Sequence, residues 1–225
     1  MGSNFSFTGL STLSTYSNSI VTSGTTITLS LSETSLASDT ATTPSFSYSG
    51  TSVKDASNNT LANISSTLTT DGVAPKILTR KTLDQDGNGY IDTIRLGLSE
   101  NISGTGGVTA TVSTYAVSSY TICNGNTTDL CVGVSEKSVY DGDQTPNIQI
   151  TTNSTLGDSS GNKVATEGSA TAAVDTVGPV VIGARYDAGA TGGASDDVIY
   201  ITFSESVSGA TIDTTNATTD FAING

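Results

Sequence analysis

The chain has 225 residues, and its 8 lysines and arginines against 21 aspartates and glutamates give a formal net charge of −13. This acidic excess repels phosphate backbones, so it argues against a nucleic-acid partner and favours divalent cations. Only 13% of the residues are charged, against about 25% in typical soluble domains; serine and threonine supply the polar surface instead, which is typical of an extracellular β-protein.

Residues 1–70 contain short alternating segments separated by Gly, Asn and Asp, the pattern of β-strands and turns. The segment FSFTG, from Phe5 to Gly9, is the first, and Phe46 and Tyr48 mark a later one. The turn KDASNNTL, which contains Asp55, follows. No stretch of the chain shows a convincing apolar period of 3.6 residues, so the sequence predicts an all-β fold with little helix.

Residues 71–174 contain seven alternating segments with turn residues between them, which is the strand number of an immunoglobulin-like sandwich. The predicted strands are Pro75 to Arg80, Asp92 to Leu98, Val108 to Val117, Ser119 to Ile122, Leu130 to Val134, Asn147 to Thr151, and Val164 to Ala173.

The sequence DQDGNGYID, residues 84–92, places oxygen ligands at alternate positions: Asp84, Asp86, Asn88, the backbone carbonyl of Tyr90, and Asp92. Calcium takes six to eight oxygen ligands, and a tight loop with glycine at its sixth position can supply them. Position 12 of this loop is an arginine, so Asp92 or a carboxylate from elsewhere must complete the shell. The sequence predicts a calcium site here, and an acidic hairpin turn without an ion is the alternative.

Cys123 and Cys131 are the two cysteines, and they flank a short loop rich in Asn, Gly and Thr. With no histidine and no further cysteine, the usual zinc ligand sets are excluded. A disulfide in an oxidising compartment is the favoured interpretation, and two free thiols in the core are the alternative.

Residues 175–225 resemble the front of the preceding segment, and ordered landmarks recur along the chain at offsets of 102 to 105 residues. We therefore predict a repeat with a period of about 104 residues. In this prediction, 1–70 is the rear part of one repeat, 71–174 is a complete repeat, and 175–225 is the front part of another. The two partial units would pair with each other or with neighbouring chains, or the chain is a piece of a longer array, which we favour. Recurring pairs are Asp71 and Asp175, Pro75 and Pro179, Glu100 and Glu205, Glu33 and Glu136, and Asp55 and Asp158.

Two weaker acidic features accompany these repeats. The stretch YDAGATGGASDD keeps Asp187 and Asp196 or Asp197 but lacks the middle ligands, so we expect a weak ion site or none there. Glutamates also end strands after a serine, and a second ion near Asp71, Asp158 or Asp175 is conceivable, although solvated strand ends are the favoured interpretation. These glutamates are Glu33, Glu100, Glu136 and Glu205.

The pattern DGVAPKI, then IDTIRLGLSENISG, then a turn such as KDASNNTL, resembles the tandem bacterial Ig-like repeats of surface-layer proteins and adhesin stalks. The loop at residues 84–92 resembles the calcium loops of EF-hand and dockerin proteins. The resemblance implies a secreted or cell-surface structural module whose partners are neighbouring Ig-like repeats or copies of itself.

We therefore expect a non-catalytic segment, because the chain lacks histidine as a base for a serine nucleophile and has no phosphate-binding GxxxxGK[ST] loop. It also lacks an apolar run of about 20 residues, so we expect no membrane-spanning segment. The alternative function is a calcium-dependent module that binds carbohydrate or another ligand, with cell-surface glycans as partners; low aromatic content and the absence of tryptophan disfavour it.

Overall fold

The computed structural model describes residues 4–9, 13–33, 40–189 and 197–208. Asp196, a candidate ligand in the stretch YDAGATGGASDD, lies outside these ranges. Within them the protein consists of β-strands and one short 3-10 helix, Cys123–Gly125, which confirms the all-β prediction. The strands are β1 (Phe5–Thr8), β2 (Leu13–Ser23), β3 (Thr26–Glu33), β4 (Ser45–Tyr48), β5 (Ile64–Leu68), β6 (Ile77–Leu83), β7 (Thr93–Leu98), β8 (Val108–Val112), β9 (Val117–Ile122), β10 (Asp129–Val134), β11 (Asn147–Asn153), β12 (Thr171–Ala172), β13 (Val181–Asp187) and β14 (Val198–Phe203).

Neighbouring strands are antiparallel in each of the sheets that the described residues form. The first part of the chain forms the sheet β1-β4-β5 and the pair β2-β3. The middle part forms a four-stranded sheet, β6-β7-β10-β9, and a three-stranded sheet, β12-β11-β8. The last part forms the pair β13-β14.

The hydrophobic core lies in the middle part of the chain, and residues of both of its sheets belong to it. In β7 the apolar side chains alternate with smaller or polar ones, so that Ile94, Leu96 and Leu98 are buried. Ile148 and Ile150 of β11 supply the same core from the three-stranded sheet. This arrangement is consistent with a β-sandwich, since alternation gives each strand one face directed at the core.

The seven strands predicted between residues 71 and 174 appear in the predicted order as β6 to β12, but two predictions were too long. The predicted strand from Val108 to Val117 is interrupted because Thr114 adopts a positive φ of 64° in a turn. In the predicted strand from Val164 to Ala173, only Thr171–Ala172 is regular. Glu167 departs from strand geometry there, and its carboxylate Oε2 accepts the backbone N–H of Ile150 at 3.0 Å.

Cys123 and Cys131 form a disulfide, with their Cα atoms 5.1 Å apart, which confirms the predicted bond between them. The bond joins the first residue of the 3-10 helix to β10 and therefore closes the connection between β9 and β10. Both cysteines are buried.

Two turns far apart in the chain have the same hydrogen bonds. Asp55 accepts the backbone N–H of Asn59 at 2.8 Å and its side-chain amide at 2.8 Å. Asp158 accepts the corresponding groups of Asn162 at 2.8 and 2.7 Å. The two turns are 103 residues apart.

Two junction segments also have matching hydrogen bonds. The hydroxyl of Ser99 accepts the N–H of Lys76 at 2.8 Å, and the hydroxyl of Ser204 accepts the N–H of Val180 at 3.0 Å. Each serine in turn donates its backbone N–H to the carbonyl of that same partner, at 2.9 Å in both cases. The sequence landmarks therefore coincide with equivalent backbone environments.

Replacing Ile94 with alanine should lower the free energy of unfolding by about 2 to 5 kcal/mol, because the side chain is fully buried in the core. The control is Leu78→Ala in β6 of the same sheet, where the side chain is 56% exposed and the change should cost no more than about 0.5 kcal/mol. Urea denaturation followed by circular dichroism measures both. Equal losses would contradict the assignment of the core.

Candidate metal centre

The loop that joins β6 to β7 consists of residues 84–92 and is called the acidic loop here. It turns sharply, and Gly87 and Gly89 have positive φ values of 75° and 90°. Glycine adopts these values without the steric cost that a Cβ atom adds. The loop therefore folds compactly, and its two ends are held by the end of β6 and the start of β7.

Asp84 organises the first half of the acidic loop through hydrogen bonds from the backbone. Its Oδ1 accepts the N–H of Gly87 at 2.8 Å and that of Asn88 at 3.2 Å. Its Oδ2 accepts the N–H of Gly89 at 2.7 Å. The loop backbone thus wraps around this carboxylate.

Two further side chains repeat this arrangement at alternate positions. Asp86 accepts the backbone N–H of Asn88 at 3.2 Å and its side-chain amide at 3.0 Å. Asn88 Oδ1 accepts the N–H of Tyr90 at 2.9 Å. These local turns bring side-chain oxygens from alternate residues to one side of the loop.

Asp92 closes the loop and has one oxygen without a protein partner. Its Oδ2 accepts the N–H of Gln85 at 2.8 Å, whereas Oδ1 is buried and accepts no hydrogen bond from any residue that the structure describes. Buried carboxylate oxygens rarely remain unsatisfied. Carboxylate oxygens of Asp84, Asp86 and Asp92 all lie within 4.8 Å of one another, so this group can hold a metal ion.

Asn88 and Tyr90, the other two predicted ligands, lie beside this group in the loop. Asn88 uses its carbonyl oxygen and its amide within the loop, as described above. The ring of Tyr90 stacks on that of Tyr140, with 4.7 Å between the ring centroids. The loop thus carries an aromatic pair next to its carboxylates.

Glu136 lies beside the acidic loop, and sequence reasoning did not place it there. Its Oε1 accepts the side-chain amide of Asn88 at 3.0 Å. Partial loss of hydration in the folded loop raises the pKa of Asp86, and the neighbouring carboxylates of Asp84 and Glu136 raise it further. The recurring Ser-Glu pair was the available signal, but it marked Glu136 only as the end of a strand. A fourth carboxylate therefore approaches the group from a distant part of the chain.

Asp141 anchors the end of the acidic loop to the core. It is buried, and its Oδ1 accepts the N–H of Ile91 at 2.9 Å. Its Oδ2 accepts the hydroxyl proton of Tyr115 at 2.6 Å. Burial and this contact with the Asp141 carboxylate raise the pKa of Tyr115. The loop is therefore held by a buried polar pair as well as by its own hydrogen bonds.

The acidic loop also lies against the segment that follows residue 175. A Cβ atom placed on Gly89 would be 2.6 Å from Val180 Cγ2, 3.0 Å from Tyr140 Cδ1 and 3.3 Å from Ser204 Cβ. Such distances leave no room for a side chain. Gly89 is thus required both by its backbone conformation and by close packing.

The corresponding stretch after β13 offers no comparable group within the described residues. Asp187 forms an ion pair with Arg185 at 3.0 Å and accepts the N–H of Gly189 at 3.2 Å. Among the residues that the structure describes, no group of three acidic side chains includes Asp187 or Asp197. The expectation of a weak site or none remains a prediction, because Asp196 is not among the described residues.

Comparison with protein-family models, with curated proteins and with solved structures found no match to this chain. In the ranges that the structure describes, no helix is long and apolar enough to cross a membrane. The function of the chain is therefore inferred from the geometry of the candidate site.

Replacing Gly89 with alanine should destabilise the protein more than replacing Gly87. Both residues have positive φ, so each change should cost about 1 kcal/mol from backbone strain. At Gly87 a Cβ atom would meet nothing within 4 Å, whereas at Gly89 it would meet Val180. Differential scanning calorimetry of the two variants isolates the packing contribution. Equal melting temperatures would show that the loop does not press on Val180 in solution.

Proposed function

We propose that this chain is a non-catalytic structural segment of a secreted or cell-surface protein, such as a surface layer, adhesin stalk or filament. In this proposal it is built from tandem Ig-like β-sandwich repeats of about 104 residues. Residues 1–70 are the rear part of one repeat, 71–174 a complete repeat and 175–225 the front part of another. Calcium stiffens the complete repeat, which is the middle unit. Its partners are neighbouring repeats or copies of itself.

Recurring hydrogen bonds support the repeat organisation. The aspartate turns at Asp55 and Asp158 match in both backbone and side-chain contacts. The aspartates that open the second and third units, Asp71 and Asp175, each accept the N–H of the residue two positions later, at 2.9 and 3.0 Å. These turns are local, so they support the repeat together with the contacts of Ser99 with Lys76 and Ser204 with Val180, which join residues 23 and 24 positions apart.

The donor set of the acidic loop suits a hard divalent cation, the class to which calcium belongs. Carboxylate oxygens are hard ligands, and the loop has no sulfur or imidazole donor that would favour zinc or copper. Extracellular modules bind calcium at concentrations of about 10⁻⁴ to 10⁻³ M. The disulfide supports an extracellular environment, because such bonds persist in oxidising compartments.

The contact between Gly89 and Val180 is the observation that carries the mechanical role. Val180 directly precedes β13, so in this proposal the acidic loop of the middle unit rests against the start of the next unit. An ion that fixes the loop would also fix the surface on which the next unit rests. Calcium would then stiffen the junction as well as the unit.

Calcium should raise the melting temperature of the protein by about 5 to 10 °C relative to EDTA. At ten times the Kd, mass action adds about 1.4 kcal/mol, which corresponds to a shift of that size for a unit of about 100 residues, such as 71–174, that unfolds on its own. Differential scanning fluorimetry measures the shift on the full chain. An Asp84→Asn, Asp86→Asn variant should show a smaller shift, because the contribution of the acidic loop is lost.

The matched control is Asp55→Asn, Asp187→Asn, which changes the net charge equally but leaves the acidic loop intact. This control should keep the calcium shift. No shift in the unmodified chain would reduce the loop to an acidic turn, and the same shift in both variants would move the effect away from the loop.

A second candidate function, calcium-dependent carbohydrate binding, has one observation in its favour. Tyr140 is 41% exposed and stacks on Tyr90 beside the carboxylates of the acidic loop. Exposed aromatic rings commonly form platforms for sugars. The structural proposal predicts no hit for this protein on a glycan array in millimolar calcium. A hit that disappears in EDTA and in Tyr140→Ala would favour carbohydrate binding instead.

A further inference from the structure

A second group of carboxylates lies away from the acidic loop and is called the acidic triad here: Asp71, Glu100 and Asp158. Its members come from three separate places, the segment before β6, the end of β7 and the turn after β11. One oxygen from each residue lies within 4.8 Å of the others. The fold therefore gathers three negative charges that the sequence keeps at least 29 residues apart.

Glu100 is buried, with 6% of its surface exposed, so the expectation of a solvated strand end was wrong for this residue. Its Oε1 has no hydrogen-bond partner within the described part of the chain. Burial raises the pKa of Glu100, and the charges of Asp71 and Asp158 raise it further, although the Thr40 hydroxyl opposes them. An ionised carboxylate in such a place is costly unless a positive charge compensates it.

Hydrogen bonds hold the other two carboxylates in place around Glu100. Asp158 is buried and accepts two bonds from Asn162, as described above. The side-chain amide of Asn162 also donates to the backbone carbonyl of Asp71 at 3.3 Å. Asp71 Oδ1 accepts the N–H of Val73 at 2.9 Å. These bonds orient the triad but bring no full positive charge to it.

No lysine or arginine neutralises the triad among the residues that the structure describes. The ion pairs found there involve Glu167, Asp129, Asp141 and Asp187, and none of the three triad members. The arrangement therefore combines three carboxylates, one of them buried with an unsatisfied oxygen, and no protein cation.

We propose that Asp71, Glu100 and Asp158 form a second site for a divalent cation of the calcium class, separate from the acidic loop. Its donors are carboxylate oxygens, which suit hard cations. The site lies where the middle unit meets the preceding one, because Thr40 donates a hydrogen bond to the hydroxyl of Ser99 at 2.7 Å. The proposal does not depend on the proposed function.

Calcium stoichiometry of the full chain tests this proposal, measured by isothermal titration calorimetry and by competition with a chromophoric chelator. The background is the Asp84→Asn, Asp86→Asn variant, in which the acidic loop is disabled. This variant should still bind one calcium ion per chain. Adding Glu100→Gln to it should abolish that binding or weaken it at least tenfold.

Glu205→Gln is the matched control in the same background. Glu205 follows β14 as Glu100 follows β7, and its Oε1 is also buried without a partner. It belongs to no group of three acidic side chains in the described ranges. This control should keep the bound ion. Equal weakening by Glu100→Gln and Glu205→Gln would overturn the proposal, because it would point to a general loss of stability.

The outcomes separate this site from the acidic loop. If the unmodified chain binds calcium but the background variant binds none, the triad proposal fails and the acidic loop stands. If the background variant binds an ion that Glu100→Gln removes, the triad proposal is supported, even if the acidic loop itself binds no calcium. Should the background variant not fold, Glu100→Gln alone must lower the stoichiometry of the unmodified chain by one, and an unchanged value overturns the proposal.

Discussion

Repulsion between carboxylates is the constraint on which the arrangement of this protein depends. The chain has 21 acidic residues and 8 basic ones, and its most closely gathered carboxylates, in the acidic loop and the acidic triad, take no part in the described ion pairs. Backbone N–H groups orient these carboxylates but supply only partial charges. Either protons or bound cations must therefore offset the remaining repulsion when the protein is folded.

The strand content of the fold could be predicted because it depends on local alternation. Ile94, Leu96 and Leu98 alternate with smaller or polar residues, so one face of β7 had to be buried. The interruptions could not be predicted, because alternation indicates which face of a strand is buried but not the backbone conformation of a single residue or a contact between distant segments. Thr114 adopts a left-handed conformation in a sequence that reads as a strand, and Glu167 bonds to Ile150 from a segment without regular pairing.

The candidate site likewise has a part that the sequence predicts and a part that it does not. Asp84, Asp86 and Asp92 were identified from their spacing within one loop, and the structure brings their carboxylates together. Glu136 and Asp141 reach that loop from about 50 residues further along the chain, and no local pattern shows such a contact. The burial of Glu100 was missed for a similar reason, since it depends on how three separate segments pack.

The two acidic groups also differ in a way that bears on how a cation would act. The acidic loop is already folded by its own N–H donors, and Asp86 remains exposed, so an ion there would compete with water at a preformed surface. Glu100 has already lost its water on folding, so an ion at the triad would compensate a desolvated charge. Both groups lie where consecutive segments touch, Gly89 near Val180 and Ser99 against Thr40. Bound cations would then add electrostatic stabilisation at these contacts to the apolar burial in the core, and the stiffness of the junctions would follow the concentration of divalent cations around the protein.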